Sequence, residues 1–490
     1  MFMIDEEQLN ICHECVGEDF LKKEIRVEGK RGKCSYCEKR RKVFPLPWLA
    51  EKISAAIEEH FYLTSNEPTP LECALLSDKD SNYVWGRHGQ ELNNLIQDLA
   101  EVNESVATDV QSYLSFYFGG DPKDFEENPY GDEACYEESP PDTYGFKESW
   151  DLFRQEITWR ARFFSQFVEQ ILDELFSNLD SLKTYDGKSV IRISGPSTEN
   201  PYVFRARVCQ THNSLDQILK NPIKELSSPP PKYAKQGRMN ATGISVFYGA
   251  TDTETCIAEV RPPVGSHVVV GRFQILKNLR LLDLNILSKI YIKGSYFDPE
   301  FSSRQGHAAF FQDLVGELTK PVMPEEENFE YLPTQIVAEY LAEKVEPNLD
   351  GIIFSSSQAQ NKEQNIILFH NSCAVEPYIL PTGTTVSVDY GWSTEDDYDD
   401  SITVYEEYTK NTSHDNQSEC MDKMEYHEEY YDDREPTLRL DVNEDISIWG
   451  IKRAIYETSK RYVSRYRHEK AENEASPSGV EKTGSFFDQF

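Results

Sequence analysis

The chain has 490 residues, with 85 acidic against 50 basic side chains and a formal net charge of -35. That length exceeds one ordinary core and predicts about three domains. The acidity argues against nucleic-acid or anionic-membrane binding by the surface as a whole, while leaving room for a local basic patch.

No apolar run approaches the ~20 residues of a membrane span, and the opening MFMIDEEQLN has no basic stretch ahead of an apolar one. A cytoplasmic protein with no membrane partner is expected. Ten cysteines fit this: four are clustered near the start, and Cys73, Cys135, Cys209, Cys256, Cys373 and Cys420 are scattered without a disulfide framework.

In chain order, residues 5–45 hold two CxxC knuckles, Cys12/Cys15 and Cys34/Cys37, with 18 residues between them. Each knuckle presents two thiolates at tetrahedral spacing, so the pair predicts a closed, structural Zn2+ shell. Lys22, Lys23, Arg26, Lys30, Arg31, Lys33, Lys39, Arg40, Arg41 and Lys42 surround it. They make either a solvated ribbon surface or a local nucleic-acid contact.

FPLPW then breaks the chain. Residues 48–185 read as a helical domain, clearest in SWDLFRQEITWRARFFSQFVEQILDELFSNL, where Phe153, Ile157, Phe164, Phe167, Ile171 and Leu175 recur at helical spacing. From 188 to 380 the texture is mixed, short β-rich runs alternating with helices, which predicts an α+β domain. Residues 381–445 are so acidic that a solvated, mobile segment is expected. An amphipathic helix and tail are predicted over 446–490.

Within the α+β part, GRMNATGISVFYGATDTETCIAEVRP, from Gly237 on, parses as loop, strand, turn and helix. Ile244, Val246 and Tyr248 share a strand face. Thr251 and Glu254 have capping-box spacing, and Glu259 lies at the edge of the helix's apolar stripe, where it can face a cleft. The unit gathers a guanidinium, a phenol and a carboxylate.

FRAR near 204, GRMN at 237, VFYGATDTETCIAE ending at Glu259, and DGIIFSSSQ followed by NIILF resemble the RES domain, named for its Arg, Glu and Ser. The CxxC pair ahead of a helical region resembles the amino-terminal part of HEPN-associated RES proteins. The resemblance implies a fold similar to the ADP-ribosyltransferases and an enzyme that degrades NAD+ or transfers ADP-ribose from it, as toxins of this family do. It also implies restraint by an antitoxin or other inhibitory protein.

Carried over residue by residue, Arg205 or its neighbour Arg207, with Arg238, match the family's arginines. Tyr248 matches an active-site tyrosine, Glu259 the glutamate, and Ser356 the serine within the run Ser355, Ser356, Ser357. Cleaving the nicotinamide–ribose bond builds oxocarbenium character, which a carboxylate such as Glu259 at the ribose hydroxyls stabilises. Planar guanidinium donors suit pyrophosphate. Tyr248 offers a face for the nicotinamide ring, and Ser356 a hydrogen bond to ribose or phosphate; Asn240 and Asn365 are further substrate-binding candidates. NAD+ is then a consumed substrate. The competing functions are an HEPN-type ribonuclease and an inactive nucleic-acid or partner-binding module.

Overall fold

A computed structural model of the chain describes residues 9–119, 127–323, 325–356, 364–393, 398–399, 401–409, 434–455 and 460–465. The fold is α+β, and the chain divides into two compact units, one of Met1–Trp150 with Tyr291–Phe311, the other of Asp151–Ile290 with Gln312–Phe490.

In the first unit, strands Asn10–Cys12, Arg40–Pro45 and Lys30–Lys33 form an antiparallel sheet in that order. Helix Asp19–Glu28 connects its first two strands in sequence, begun by Glu18, whose carboxylate accepts the Leu21 N–H at 2.7 Å. Its inner face, Leu21 and Ile25, joins Ile11 and Val16 in one core with Ile53, Ile57, Leu95, Ile96, Val110 and Leu114 of the helices that follow. The ribbon therefore shares its core with the helical region. Phe297, from the returning 291–311 segment, completes that core.

The long helix expected across 149–179 is two helices, Tyr144–Trp159 and Gln166–Leu175. Phe164 adopts a left-handed φ of 59° and is fully exposed, and Ser165 starts the second helix by accepting the Val168 N–H. The apolar stripe is real on each half, through Phe153 and Ile157 and then Ile171 and Leu175, but Phe164 lies outside it.

The second unit is organised on a nine-stranded sheet. Its order is Leu438–Leu440, His267–Ile275, Tyr202–Cys209, Phe247–Ala250, Gln364–Leu368, Gly351–Ser355, Leu279–Asp283, Ile191–Ser194, with Ile446–Gly450 also paired to His267–Ile275. All pairs are antiparallel except Leu279–Asp283 with Gly351–Ser355. Between Tyr202–Cys209 and Phe247–Ala250 the ladder is a single residue pair, Phe204 with Ala250. The sheet parts there, and this parting makes room for the site.

Two expectations at the carboxy-terminal end are corrected. Residues 446–450 are a strand, not the start of an amphipathic helix: Ile446 and Ile448 alternate with Ser447 and Trp449, and His267–Ile275 offers them a ladder. The 381–445 stretch holds fixed structure in its described part. Thr385–Asp389 pairs with Thr403–Glu407, and Leu438 and Leu440 are buried in the sheet's core beside Phe273. Residues 410–433, which carry much of the acidic run, and 466–490 lie outside the described residues.

Candidate active site

A cavity of about 550 Å³ opens where the sheet parts, a volume that suits a small organic ligand. Arg205 and Arg207 reach it from one strand, and Tyr248 and Asn365 from the strands beyond the parting. Glu259 reaches it from the end of helix Thr253–Glu259, and Arg238 from the preceding loop. That helix is started by Asp252 rather than by a Thr251–Glu254 box. The Asp252 carboxylate accepts the Thr255 N–H at 2.8 Å, because Thr251 is held back by Gln364.

Glu259 turns inward. Its Oε1 accepts Ser356 Oγ–H at 2.5 Å and Asn365 Nδ2–H at 2.7 Å, both donors being buried. Two donors on one oxygen fix the rotamer and leave Oε2 for another partner. No ion pair joins Glu259 and Arg261 among the described residues. The serine run is separated by this geometry: Ser356 holds Glu259, Ser355 lines the cavity, and Ser357 lies outside the described residues.

Arg205 is 5 % exposed, and its Nη1 has no hydrogen-bond partner among the described residues. Its guanidinium lies 5.0 Å over the Phe247 ring. Burial, with Arg207 beside it, pushes its pKa down. A buried cation with an orphaned donor is costly unless an anion completes it. Arg207 is anchored through Nε to the Glu225 carbonyl at 3.0 Å.

Arg238 spends two nitrogens on the Leu318 and Lys320 carbonyls, at 2.9 and 2.5 Å, while Tyr331 stacks beneath it at 5.1 Å. It lines the cavity and also ties the loop to the end of helix Phe301–Thr319.

Asn240 does not line the cavity. Its Nδ2 donates to the Lys235, Ala241 and Ile244 carbonyls and its Oδ1 accepts the Tyr248 O–H at 2.8 Å, so its amide is committed to shaping the loop. Tyr248 also accepts the Met239 N–H at 3.1 Å, and burial raises its pKa to about 12. The phenol hydroxyl is thus an anchor for the loop, and Tyr248 also lines the cavity. Gly237 is required here, since a Cβ would meet the Tyr248 hydroxyl at 2.5 Å.

Sequence reasoning did not select Arg261 or Tyr331, which also line the cavity. Arg261 follows Glu259 with a φ of 45°, strain of the kind kept at functional sites. Its nearness to Glu259 in sequence was a usable signal; nothing local marked Tyr331.

In the first unit the sulfurs of Cys12, Cys15, Cys34 and Cys37 all lie within 4.8 Å of one another, unlinked by disulfides. Cys12 to Cys37 is 3.6 Å, and Cys15 to Cys34 is 3.8 Å. Four sulfurs at ~2.3 Å around a zinc ion stand roughly 3.8 Å apart, so donor set and spacing fit tetrahedral zinc. Burial pushes the Cys12 and Cys15 thiols up, a cost that a bound cation removes.

The chain matches the family model of the RES domain over residues 205–391 and that of the HEPN/RES N-terminal domain 1 over residues 27–170. No curated protein and no solved structure matches it. No described helix is long and apolar enough to cross a membrane.

Proposed function

Because this chain is a RES-domain protein that also carries an HEPN/RES N-terminal domain, we propose that it cleaves the nicotinamide–ribose bond of NAD+. The observation that carries this reading is Glu259, held on Oε1 by Ser356 and Asn365 at a cavity that the orphaned guanidinium of Arg205 also lines. The ribosyl C1′–N bond breaks, and nicotinamide leaves with the electron pair. An acceptor, water, phosphate or a macromolecular nucleophile, bonds to C1′ and gives up its proton.

Glu259 stabilises the cation developing on the ribose through its hydroxyls. Arg205, Arg207 and Arg238 receive the pyrophosphate. The Tyr248 ring packs against nicotinamide. The Cys12, Cys15, Cys34 and Cys37 shell holds a structural zinc. An enzyme of this activity depletes its own cell of NAD+, so we assign it a toxin or phage-defence role under restraint by an inhibitory protein.

The HEPN-type ribonuclease is not favoured. Such enzymes need an Arg and a His with four to six residues between them on one helix; in the helical region neither His60 nor His88 has such an Arg upstream, and the pairs Arg205/His212 and Arg461/His468, which have the spacing, lie outside it. Purified protein incubated with NAD+, with and without phosphate, should release nicotinamide, and the sugar product identifies the acceptor. Glu259→Gln should lose most of the activity with its thermal stability kept. A variant as fast as the parent, or a parent that leaves NAD+ intact, overturns the reading.

A further inference from the structure

The ribbon in the first unit carries a cluster of basic side chains that shares no residue with the cavity. Strands Lys30–Lys33 and Arg40–Pro45 pair so that Arg31 faces Lys42 and Lys33 faces Arg40. Opposed residues share a face, and so do alternate residues along a strand. Arg31, Lys33, Arg40 and Lys42 therefore form a block of four cations on one face. Like charges directly opposite each other destabilise a ladder, and between Lys30 and Lys42 the sequence offers only one acid, Glu38, against seven basic residues.

The chain does little to relieve this repulsion. Lys33 reaches Glu38 at 3.9 Å, both side chains being largely exposed, which is a weak pairing. Lys42 turns its Nζ to the Arg26 and Val27 carbonyls at 2.6 and 2.8 Å. Glu14 is occupied by Arg26 and Arg41 from elsewhere on the ribbon. Arg31 and Arg40, with Lys23, Lys30 and Lys39, have no ion pair among the described residues and stand exposed. Gly32, between Arg31 and Lys33, keeps the strand close to Val43, whose Cγ2 lies 2.6 Å from where a Cβ would be. The cysteine shell stiffens the turn that joins the two strands.

We propose that this face binds the phosphate backbone of a nucleic acid. A row of phosphates supplies the counter-charge that the ladder lacks. In a chain of net charge -35, such a patch works only at short range, within the ~8 Å over which physiological salt leaves charges unscreened. Three phosphate contacts, from Arg31, Lys33 and Arg40, which stand exposed, give binding that is independent of sequence and steeply dependent on salt.

The test is fluorescence anisotropy on the full chain with a DNA duplex, a single-stranded RNA of the same length, and phosphatidylserine vesicles as the competing polyanion. Binding should weaken about 20- to 40-fold between ~50 and ~200 mM salt, and the preferred arm identifies the strand type. In the double variant Arg31→Glu/Arg40→Glu, each new acid faces a lysine, Lys42 or Lys33. The ribbon should then be as stable as the parent or more so, while affinity collapses and the salt slope falls by about two. The proposal is overturned by a parent that binds neither nucleic acid at ~50 mM salt, by a variant that binds as the parent does, or by preference for the vesicles.

Discussion

Asn285 holds Ser355: its Oδ1 accepts the Ser355 N–H at 2.9 Å and the Ser355 hydroxyl as well. Asn285 is itself oriented by the buried Asp283, whose Oδ1 accepts both its N–H, at 3.0 Å, and its Nδ2–H, at 3.1 Å. The end of strand Gly351–Ser355 is thus fixed one residue before Ser356 delivers its hydroxyl to Glu259. Asn285→Ala should lower the rate of nicotinamide release roughly 10- to 100-fold through misplacement of Glu259, with the apparent affinity for NAD+ little changed. Steady-state kinetics checks this, and a fall in affinity at constant rate would assign Asn285 to binding instead.

Arg205 tests the anion reading from the opposite direction. If its buried charge waits for a phosphate, Arg205→Met removes an unsatisfied cation from the empty protein, a change that is often neutral or stabilising. The same change removes a charge-assisted contact to the ligand, weakening NAD+ capture about 10- to 100-fold. Thermal melts with and without NAD+ should therefore move apart: an equal or higher Tm in its absence, and a smaller NAD+-induced rise. Lower intrinsic stability would mean that the guanidinium serves the fold. Arg238→Ala should, by contrast, destabilise even the ligand-free protein, by about 1–3 kcal/mol, because its two carbonyl contacts hold the loop.

The site residues legible in the sequence are those whose signal is local. Arg205, Tyr248 and Glu259 sit in short ordered motifs, and those motifs name the strand and helix that bring them to the cavity. Asn240 was selected by the same motif, yet its amide turns away, since only the fold decides whether a loop residue faces a ligand or its own backbone. Tyr331 pairs with Arg238 across 93 positions, and no local pattern announces such a contact. The strand at 446–450 is not legible locally, because a few apolar residues among charges fit both periods and the deciding partner, His267–Ile275, lies far away in sequence.

A pH-sensitive contact lies in the first unit. His88 Nε2 is 2.7 Å from Glu72 Oε1, to which the Tyr83 hydroxyl also donates. His88 and the Thr69 cap hold the Glu72 pKa down to about 2, and Glu72, with Glu137 further off, raises that of His88. The histidine's share of the stabilisation is full below its unfolded pKa of about 6.5 and is lost as pH rises through the raised folded value. The carboxylate's share is full above about 4.5 and is lost as pH falls toward about 2. The stability difference between the parent and His88→Gln should be greatest between about pH 4.5 and 6.5 and shrink on both sides. Urea midpoints across pH check this; a difference that grows steadily above pH 7 would contradict the pairing.

Metal removal reaches further than the ribbon itself. Ile11, Val16, Leu21 and Ile25 lie in the same core as Ile53, Leu95 and Val110, so a ribbon loosened by loss of the proposed zinc withdraws four buried side chains from the helical region. At ~1.5–3 kcal/mol for each fully buried aliphatic side chain, that amounts to roughly 6–12 kcal/mol, comparable with the whole stability of a domain. A strong chelator should therefore unfold the first unit cooperatively, with loss of helical signal well beyond the 37 residues from Leu9 to Pro45, and a Cys12→Ser/Cys37→Ser variant should do the same without chelator. Circular dichroism during chelation, with zinc release followed by a colorimetric indicator, gives both readouts together. Zinc release that leaves the helical signal intact would show that the ribbon's apolar side alone secures the core.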